Sequence, residues 1–202
     1  AYAQAKKLGK ADNLTICVPS GNFGNITAGL FAQRMGLPIK HFIAANNAND
    51  IFYNYLLSGI YSPKASIQTI ANAMDVGDPS NFARILDLYK SSHTEICNHI
   101  SGATYTDDEI AATMKKCYEQ TGYVLDPHGA CGYQALKDNL KEGETGVFLE
   151  TAHPAKFKEK VDAILSTDIE IPTRLADFMK GKKQSLEMTS DFSAFKQFLL
   201  NE

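Results

Sequence analysis

The sequence has no large excess of either charge, since 20 lysines and arginines stand against 23 aspartates and glutamates. Without a basic stripe, neither a nucleic acid nor an anionic membrane is expected as a partner. No apolar run reaches the length of a membrane-spanning helix, and the sequence predicts no signal peptide. The four cysteines form no CxxC pair, which favours buried free thiols in a reducing compartment. A cytoplasmic protein is therefore expected.

Two widespread phosphate-binding fingerprints are also missing around Gly21 and Gly24. The pair lacks the third glycine of the dinucleotide-binding motif, and no Gly-Lys-Ser/Thr follows as in a P-loop. Residues 20–25, Ser-Gly-Asn-Phe-Gly-Asn, nevertheless lie between an apolar run at 14–18 and a run of helical periodicity at 26–36. This order predicts a strand, a loop of small residues (the glycine loop, 20–25) and a helix.

The glycine loop is a candidate anion site. Gly21 and Gly24 have no Cβ, so the backbone can take positive φ values and turn several N–H groups into one concavity. The helix that follows adds N–H groups and partial positive charge at its N-terminus. The side chains of Ser20, Asn22 and Asn25 add donors. A capped turn without a ligand explains the same residues about equally well.

A second apolar strand at 39–45 completes a βαβ unit around the glycine loop. Such a unit implies an α/β fold with a parallel sheet covered by helices on both faces. Ligands of these sheets gather beyond the carboxyl ends of the strands, where the glycine loop lies. A third buried strand is predicted at 146–151, and a short edge strand at 169–172.

Polar residues mark the starts of three further helices. Asp78 and Asp126 are each followed by proline, which is typical of an N-cap and the first helical position. Thr106 and Glu109 predict a capping box for a helix that ends at Gly122.

Two other groups of residues could bind a ligand. Asn81 and Arg84 could form a polar wall, with the guanidinium holding an anion through two hydrogen bonds, although a solvated loop is the simpler interpretation. His93 and Cys97 lie four residues apart, but no fourth ligand follows at a recognisable spacing, so no metal site is expected.

Four segments of the chain resemble the threonine synthase family. They are the glycine loop, the stretch 69–84, Asp-Pro-His-Gly-Ala at 126–130 and Thr-Ala-His-Pro-Ala-Lys-Phe at 151–157. The resemblance implies a fold type II pyridoxal-phosphate enzyme, similar in architecture to the tryptophan synthase β chain. It implies pyridoxal 5'-phosphate as the cofactor.

The resemblance also implies roles for individual residues. It assigns cofactor binding to Ser20, Gly21, Asn22, Phe23, Gly24, Asn25 and Thr151, the last through a hydrogen bond at the pyridine nitrogen. It assigns a candidate active-site or substrate wall to Asp126, His128, Asn81 and Arg84. A histidine at a positive helix end tends to stay neutral, which suits a position near the cofactor.

The activity implied by the resemblance is the conversion of O-phosphohomoserine and water to threonine and phosphate, by elimination and replacement. The lysine that forms the Schiff base in this family lies in an N-terminal segment, and no lysine here has a comparable context. The sequence starts without methionine, in what resembles the last turns of a helix. We therefore expect a C-terminal portion that is inactive alone and completed by the rest of the parent chain.

Two alternatives stay open at this point. Another fold type II lyase or dehydratase shares the architecture, and a non-catalytic relative could bind a phosphate ligand. Within the chain, residues 1–165 are expected to form the cofactor-binding portion, with 166–202 as an extension that packs on it.

Overall fold

A computed structural model of the protein describes residues 1–201. Its sheet has four parallel strands in the order β3-β2-β1-β4. The strands are β1 (Leu14–Pro19), β2 (His41–Asn46), β3 (Ile100–Thr104) and β4 (Thr145–Phe148). Their carboxyl ends meet at one edge, as expected for a ligand site.

Helices precede and connect the strands, and one further helix follows β4 within the same compact unit. In chain order they are α1 (Tyr2–Lys7), α2 (Gly24–Arg34), α3 (Ile51–Ser58), α4 (Phe82–Leu88), α5 (His93–His99), α6 (Asp107–Thr121), α7 (Pro127–Asn139) and α8 (Lys158–Leu165), with 3₁₀ turns at Asn72–Met74 and Pro154–Phe157. No helix in residues 1–201 is long and apolar enough to cross a membrane.

Buried side chains cover both faces of the sheet. Alternate residues of β1, such as Ile16 and Val18, join one apolar cluster, whereas Cys17 joins the other. The period of two along a strand explains this division. Helices α2 and α3 contribute to the first cluster and α6 and α7 to the second. The predicted parallel sheet with two covered faces is confirmed.

Strands differ from the prediction at three places. β3 was not predicted, because Ile100 is the only large apolar residue of its Ile-Ser-Gly-Ala-Thr sequence. β4 ends at Phe148 and is half-buried, since it lies at the edge of the sheet next to β1 only. The strand expected at 169–172 was wrong, and Pro172 instead precedes a helix.

Two of the three predicted helix starts are confirmed. Asp126 accepts a hydrogen bond from the backbone N–H of His128, and Thr106 forms its capping box with Glu109. The prediction for Asp78 was wrong, because α4 begins only at Phe82. Asp78 instead accepts a hydrogen bond from the Tyr61 hydroxyl at 2.7 Å.

The chain divides into two compact units after Ile169. The first contains the sheet and α1–α8. The second contains α9 (Thr173–Met179) and α10 (Phe192–Leu200). The expected packing of residues 166–202 on the body stays a prediction.

Candidate active site at the glycine loop

The glycine loop turns the chain from β1 into α2 through one left-handed residue. That residue is Phe23, with φ 62° and ψ 16°, whereas Gly21 and Gly24 do not have positive φ values. The expectation of positive φ at the glycines was therefore wrong. The Phe23 side chain is 3% exposed, and its ring centroid lies 4.5 Å from that of Phe52. These apolar contacts offset the strain of the left-handed backbone.

The surroundings of Gly21 and Gly24 differ. A Cβ at Gly21 would lie 2.6 Å from Cα of Met74 and 2.9 Å from the carbonyl oxygen of Ala73. Gly21 therefore allows two backbone segments to touch. At Gly24 the nearest heavy atom to such a Cβ is Nδ2 of Asn81, at 3.8 Å, so space is open at this position.

Six consecutive backbone N–H groups, in the glycine loop and the first turn of α2, lack an internal acceptor. None of the N–H groups from Gly21 to Ile26 donates a hydrogen bond to another group of residues 1–201. The next N–H along the chain, that of Thr27, donates a hydrogen bond to the carbonyl of Phe23. Free N–H groups at the start of an 11-residue helix form a site suited to an anion.

A cavity of about 240 Å³ borders the loop. Its lining comprises Pro19, Gly21, Asn22, Phe23, Gly24, Asn25, Ala73, Met74, His128 and Thr151. The structure thus brings three separated sequence segments to the loop. No lysine of the described chain lines the cavity.

The neighbouring segment 79–84 is hydrogen-bonded to the glycine loop. Oδ1 of Asn22 accepts hydrogen bonds from the backbone N–H of Ser80 at 2.7 Å and from its hydroxyl at 3.1 Å. Nδ2 of Asn81 donates to the backbone carbonyl of Asn22 at 2.8 Å. Arg84 is exposed, and its Nη1 lies 3.4 Å from Oδ1 of Asn81. Of the two wall candidates in this segment, Asn81 therefore contacts the loop and Arg84 lies beside Asn81, but neither lines the cavity.

Ser20 occupies a different position from the other predicted loop residues. It is 2% exposed, its hydroxyl donates to the carbonyl of Val18 at 2.8 Å, and it does not line the cavity. Its own carbonyl accepts from Nδ2 of Asn46 at 2.7 Å. Ser20 thus ties the end of β1 to β2.

His128, which lines the cavity, forms a buried hydrogen-bonded pair with Asp126, which does not line it. Nδ1 of His128 lies 2.6 Å from Oδ1 of Asp126, and the backbone N–H of Ala73 donates to Nε2 at 3.1 Å. Because Nε2 accepts, the hydrogen-bond network assigns the imidazole proton to Nδ1. Burial alone would raise the pKa of Asp126, but the hydrogen bonds that it accepts from His128, together with the neighbouring Glu150 carboxyl, hold it below the ordinary value.

Glu150 was not identified from the sequence. Both of its carboxyl oxygens are buried, and burial together with the carboxylate of Asp126 raises its pKa to about 9. Its sequence neighbour Thr151 lies beyond the end of β4, is exposed and lines the cavity. No sequence signal marks Glu150, because its contact with Asp126 arises only when β4 packs beside α7.

A buried polar network holds the turn opposite the loop, and it was also missed. Asp75 accepts from Nδ2 of Asn47 at 2.8 Å, from the hydroxyl of Thr69 at 2.7 Å and from Nδ2 of Asn49 at 3.2 Å. These bonds fix the segment that carries Ala73 into the cavity wall. The runs of asparagine and aspartate in the sequence were the available signal.

Comparisons with known proteins agree with this architecture. The sequence profile of a family described as "Pyridoxal-phosphate dependent enzyme" matches residues 2–151, and one described as "Threonine synthase, C-terminal" matches residues 129–199. The threonine synthase of Haemophilus influenzae is 46% identical over 200 residues, which are 99% of this chain and 46% of that protein.

Solved structures give the same result. The crystal structure of threonine synthase from Escherichia coli matches with a TM-score of 0.80 and 42% identity, over 94% of this chain and 44% of that one. A pyridoxal-phosphate-bound threonine synthase from Brucella melitensis matches with a TM-score of 0.85 and 32% identity, over 98% and 48%. The chain spans about half the length of the relatives it matches. The predicted fold type II architecture is confirmed, and the chain belongs to the pyridoxal-phosphate-dependent enzyme family, with threonine synthases as its relatives.

Proposed function

We propose that this chain supplies the phosphate-binding part of a threonine synthase active site. The observation that carries the proposal is the row of six free N–H groups from Gly21 to Ile26 beside the cavity. The full enzyme would convert O-phosphohomoserine and water to threonine and phosphate. The names of the relatives support this reaction.

The residues fit pyridoxal phosphate in three respects. The free N–H groups and the N-terminus of α2 suit a phosphate dianion. The open space at Gly24 admits a group that a side chain would exclude. Thr151 lines the cavity. Its hydroxyl could bond a pyridine nitrogen without keeping that nitrogen protonated, whereas a carboxylate would keep it protonated.

Bound pyridoxal phosphate would supply the electron sink for the elimination and replacement chemistry. The glycine loop would anchor the phosphate, and Thr151 would orient the ring. Arg84 forms no ion pair within the described residues, so its charge is available to the phosphate of O-phosphohomoserine. With Asn81 and His128 it would form the substrate wall.

The 202-residue chain alone is proposed to be inactive. No described lysine lines the cavity, whereas the family chemistry requires a lysine that binds the cofactor covalently and moves protons. The rest of a parent chain would supply it. We further propose a cytoplasmic enzyme of threonine biosynthesis. Its four free cysteines fit a reducing compartment.

Titration of the 202-residue chain with pyridoxal phosphate, and separately with inorganic phosphate, tests the site. Amide NMR signals from Gly21 to Ile26 are expected to shift and to saturate with both ligands. Gly24→Ala should weaken binding by about tenfold, equivalent to about 1.4 kcal/mol, because the added methyl group enters the space beside the N–H groups. Ala28→Ser, exposed one turn further along α2, is the matched control.

Two results would contradict the proposal. Saturable shifts that Gly24→Ala leaves unchanged would place the anion elsewhere. Phosphate release from O-phosphohomoserine by the 202-residue chain would contradict its proposed inactivity.

A further inference from the structure

Three buried carboxyl oxygens lie without a donor around the first turn of α7, which Asp126 caps. Oδ2 of Asp126 and both oxygens of Glu150 have no hydrogen-bond partner among the described residues when both groups are ionised. The Glu150 carboxyl packs on the first turn of α7, where a Cβ at Gly129 would lie 2.1 Å from Oε2. Glycine at 129 therefore creates the room for this carboxyl group. Two buried carboxylates in contact would carry a large desolvation and repulsion cost.

One proton shared by the pair removes this cost, since it converts one acceptor into a donor. Asp126 already accepts from the backbone N–H and Nδ1 of His128, which favours its ionised form. No group of residues 1–201 donates a hydrogen bond to the Glu150 carboxyl. The proton therefore belongs on Glu150.

The pair continues into a chain of contacts that crosses the cavity wall. Asp126 holds the Nδ1–H of His128, and Nε2 of His128 accepts from the N–H of Ala73 at 3.1 Å. Ala73 and Met74 in turn touch Gly21, at the start of the free N–H row.

We propose that Glu150 is a positioning residue whose protonated carboxyl group donates to Asp126 and thereby, through His128, fixes the 71–74 turn against the glycine loop. This inference depends on contacts within the chain and not on the identity of the ligand.

Two other titratable groups near the pair, besides His128, are held in their neutral forms. They are Tyr123, before α7, and Cys131, within it. Burial and the nearby carboxylates raise the pKa of both. The imidazole of His128 is held by Asp126 and Ala73. Groups that both proteins share contribute to both profiles, so the difference in pH response between the unsubstituted chain and Glu150→Gln reports on Glu150.

Glu150→Gln tests the proposal, because the amide keeps the shape and a donor without the titration. The pKa of Glu150 is about 9 in the folded state against an ordinary value of 4.5. The folded state therefore binds the extra proton, and stability present below about pH 5 is lost as the pH rises to about 9. The unfolding constant of the unsubstituted chain should rise by up to about tenfold per pH unit relative to Glu150→Gln.

The control is Glu144→Gln. Hydrogen bonds to Lys40, Lys141 and Thr15 lower the pKa of Glu144 despite its burial. It is ionised in both states above about pH 6. Urea unfolding of this variant should therefore run parallel to that of the unsubstituted chain from pH 6 to pH 9.

A second measurement separates positioning from bulk stability. The ¹⁵N shifts of the His128 ring should show a proton on Nδ1 at pH 7, both in the unsubstituted chain and in Glu150→Gln. Above about pH 9 only the unsubstituted chain should change. Parallel unfolding profiles for the two proteins, a proton on Nε2, or a Glu150→Gln chain that no longer folds would each overturn the proposal. None of these readouts requires a ligand, so failure of the proposed function would leave them unaffected.

Discussion

Replacing Phe23 by alanine and by glycine isolates the strain stored in the glycine loop. The residue has φ 62° and a side chain that is 3% exposed. Truncating a buried phenylalanine to alanine costs about 3–5 kcal/mol of unfolding free energy. Both variants lose this side chain and its contact with Phe52, so that loss is common to them.

The two variants should differ in the backbone term. A left-handed conformation costs a residue with a Cβ about 1–2 kcal/mol, which glycine avoids. Glycine loses more chain entropy on folding, which costs about 0.5–1 kcal/mol. Phe23→Gly should therefore be more stable than Phe23→Ala by about 0.5–1 kcal/mol.

Urea unfolding at pH 7 measures this difference, provided that the m-values of the two variants agree. Ala112→Gly is the matched control, because Ala112 is exposed inside α6 and has a regular helical backbone. There glycine should be less stable than alanine by about 1 kcal/mol. If alanine were also the more stable residue at position 23, the left-handed turn would be absent and the geometry of the loop would be wrong.

Three further predictions concern single side chains. Asp75→Ala should lower the unfolding free energy by about 3 kcal/mol, because it leaves buried donors unpaired. Asp87→Ala, at an exposed position, should change it little. Equal effects of the two substitutions in urea unfolding would contradict the buried network around Asp75. Thr106→Ala should cost about 1 kcal/mol in the same assay through loss of the capping box, and no change would show that the cap is not used. Burial raises the pKa of the Cys131 and Cys97 thiols, but of these two only Cys131 is fully buried. A thiol reagent should therefore modify Cys97 before Cys131 in the native chain. The reverse order would refute the burial of Cys131.

Much of the fold could be predicted because its signals are local. The apolar runs at β1 and β2 and the helical period between them depend on residues a few positions apart. The caps at Asp126 and Thr106 also depend on neighbours within one turn. The position of the glycine loop then follows from the parallel arrangement of the strands, which brings their carboxyl ends together.

What the sequence could not indicate depends on residues far apart in the chain. β3 has little apolar character and exists because it pairs with β2. The left-handed backbone conformation occurs at Phe23, whose ring packs against Phe52, and not at Gly21 or Gly24.

The chemistry of the site shows the same division between local and distant contacts. The sequence by itself determined that a loop of small residues would follow a strand of a parallel sheet, and it made the N–H groups of that loop a candidate anion site. Only the tertiary structure decided which polar groups reach that cavity. It turned the Ser20 hydroxyl back to Val18 and placed Glu150 against Asp126. Burial and contacts between distant segments set these outcomes, because desolvation and a facing charge change what a side chain does while its identity stays the same.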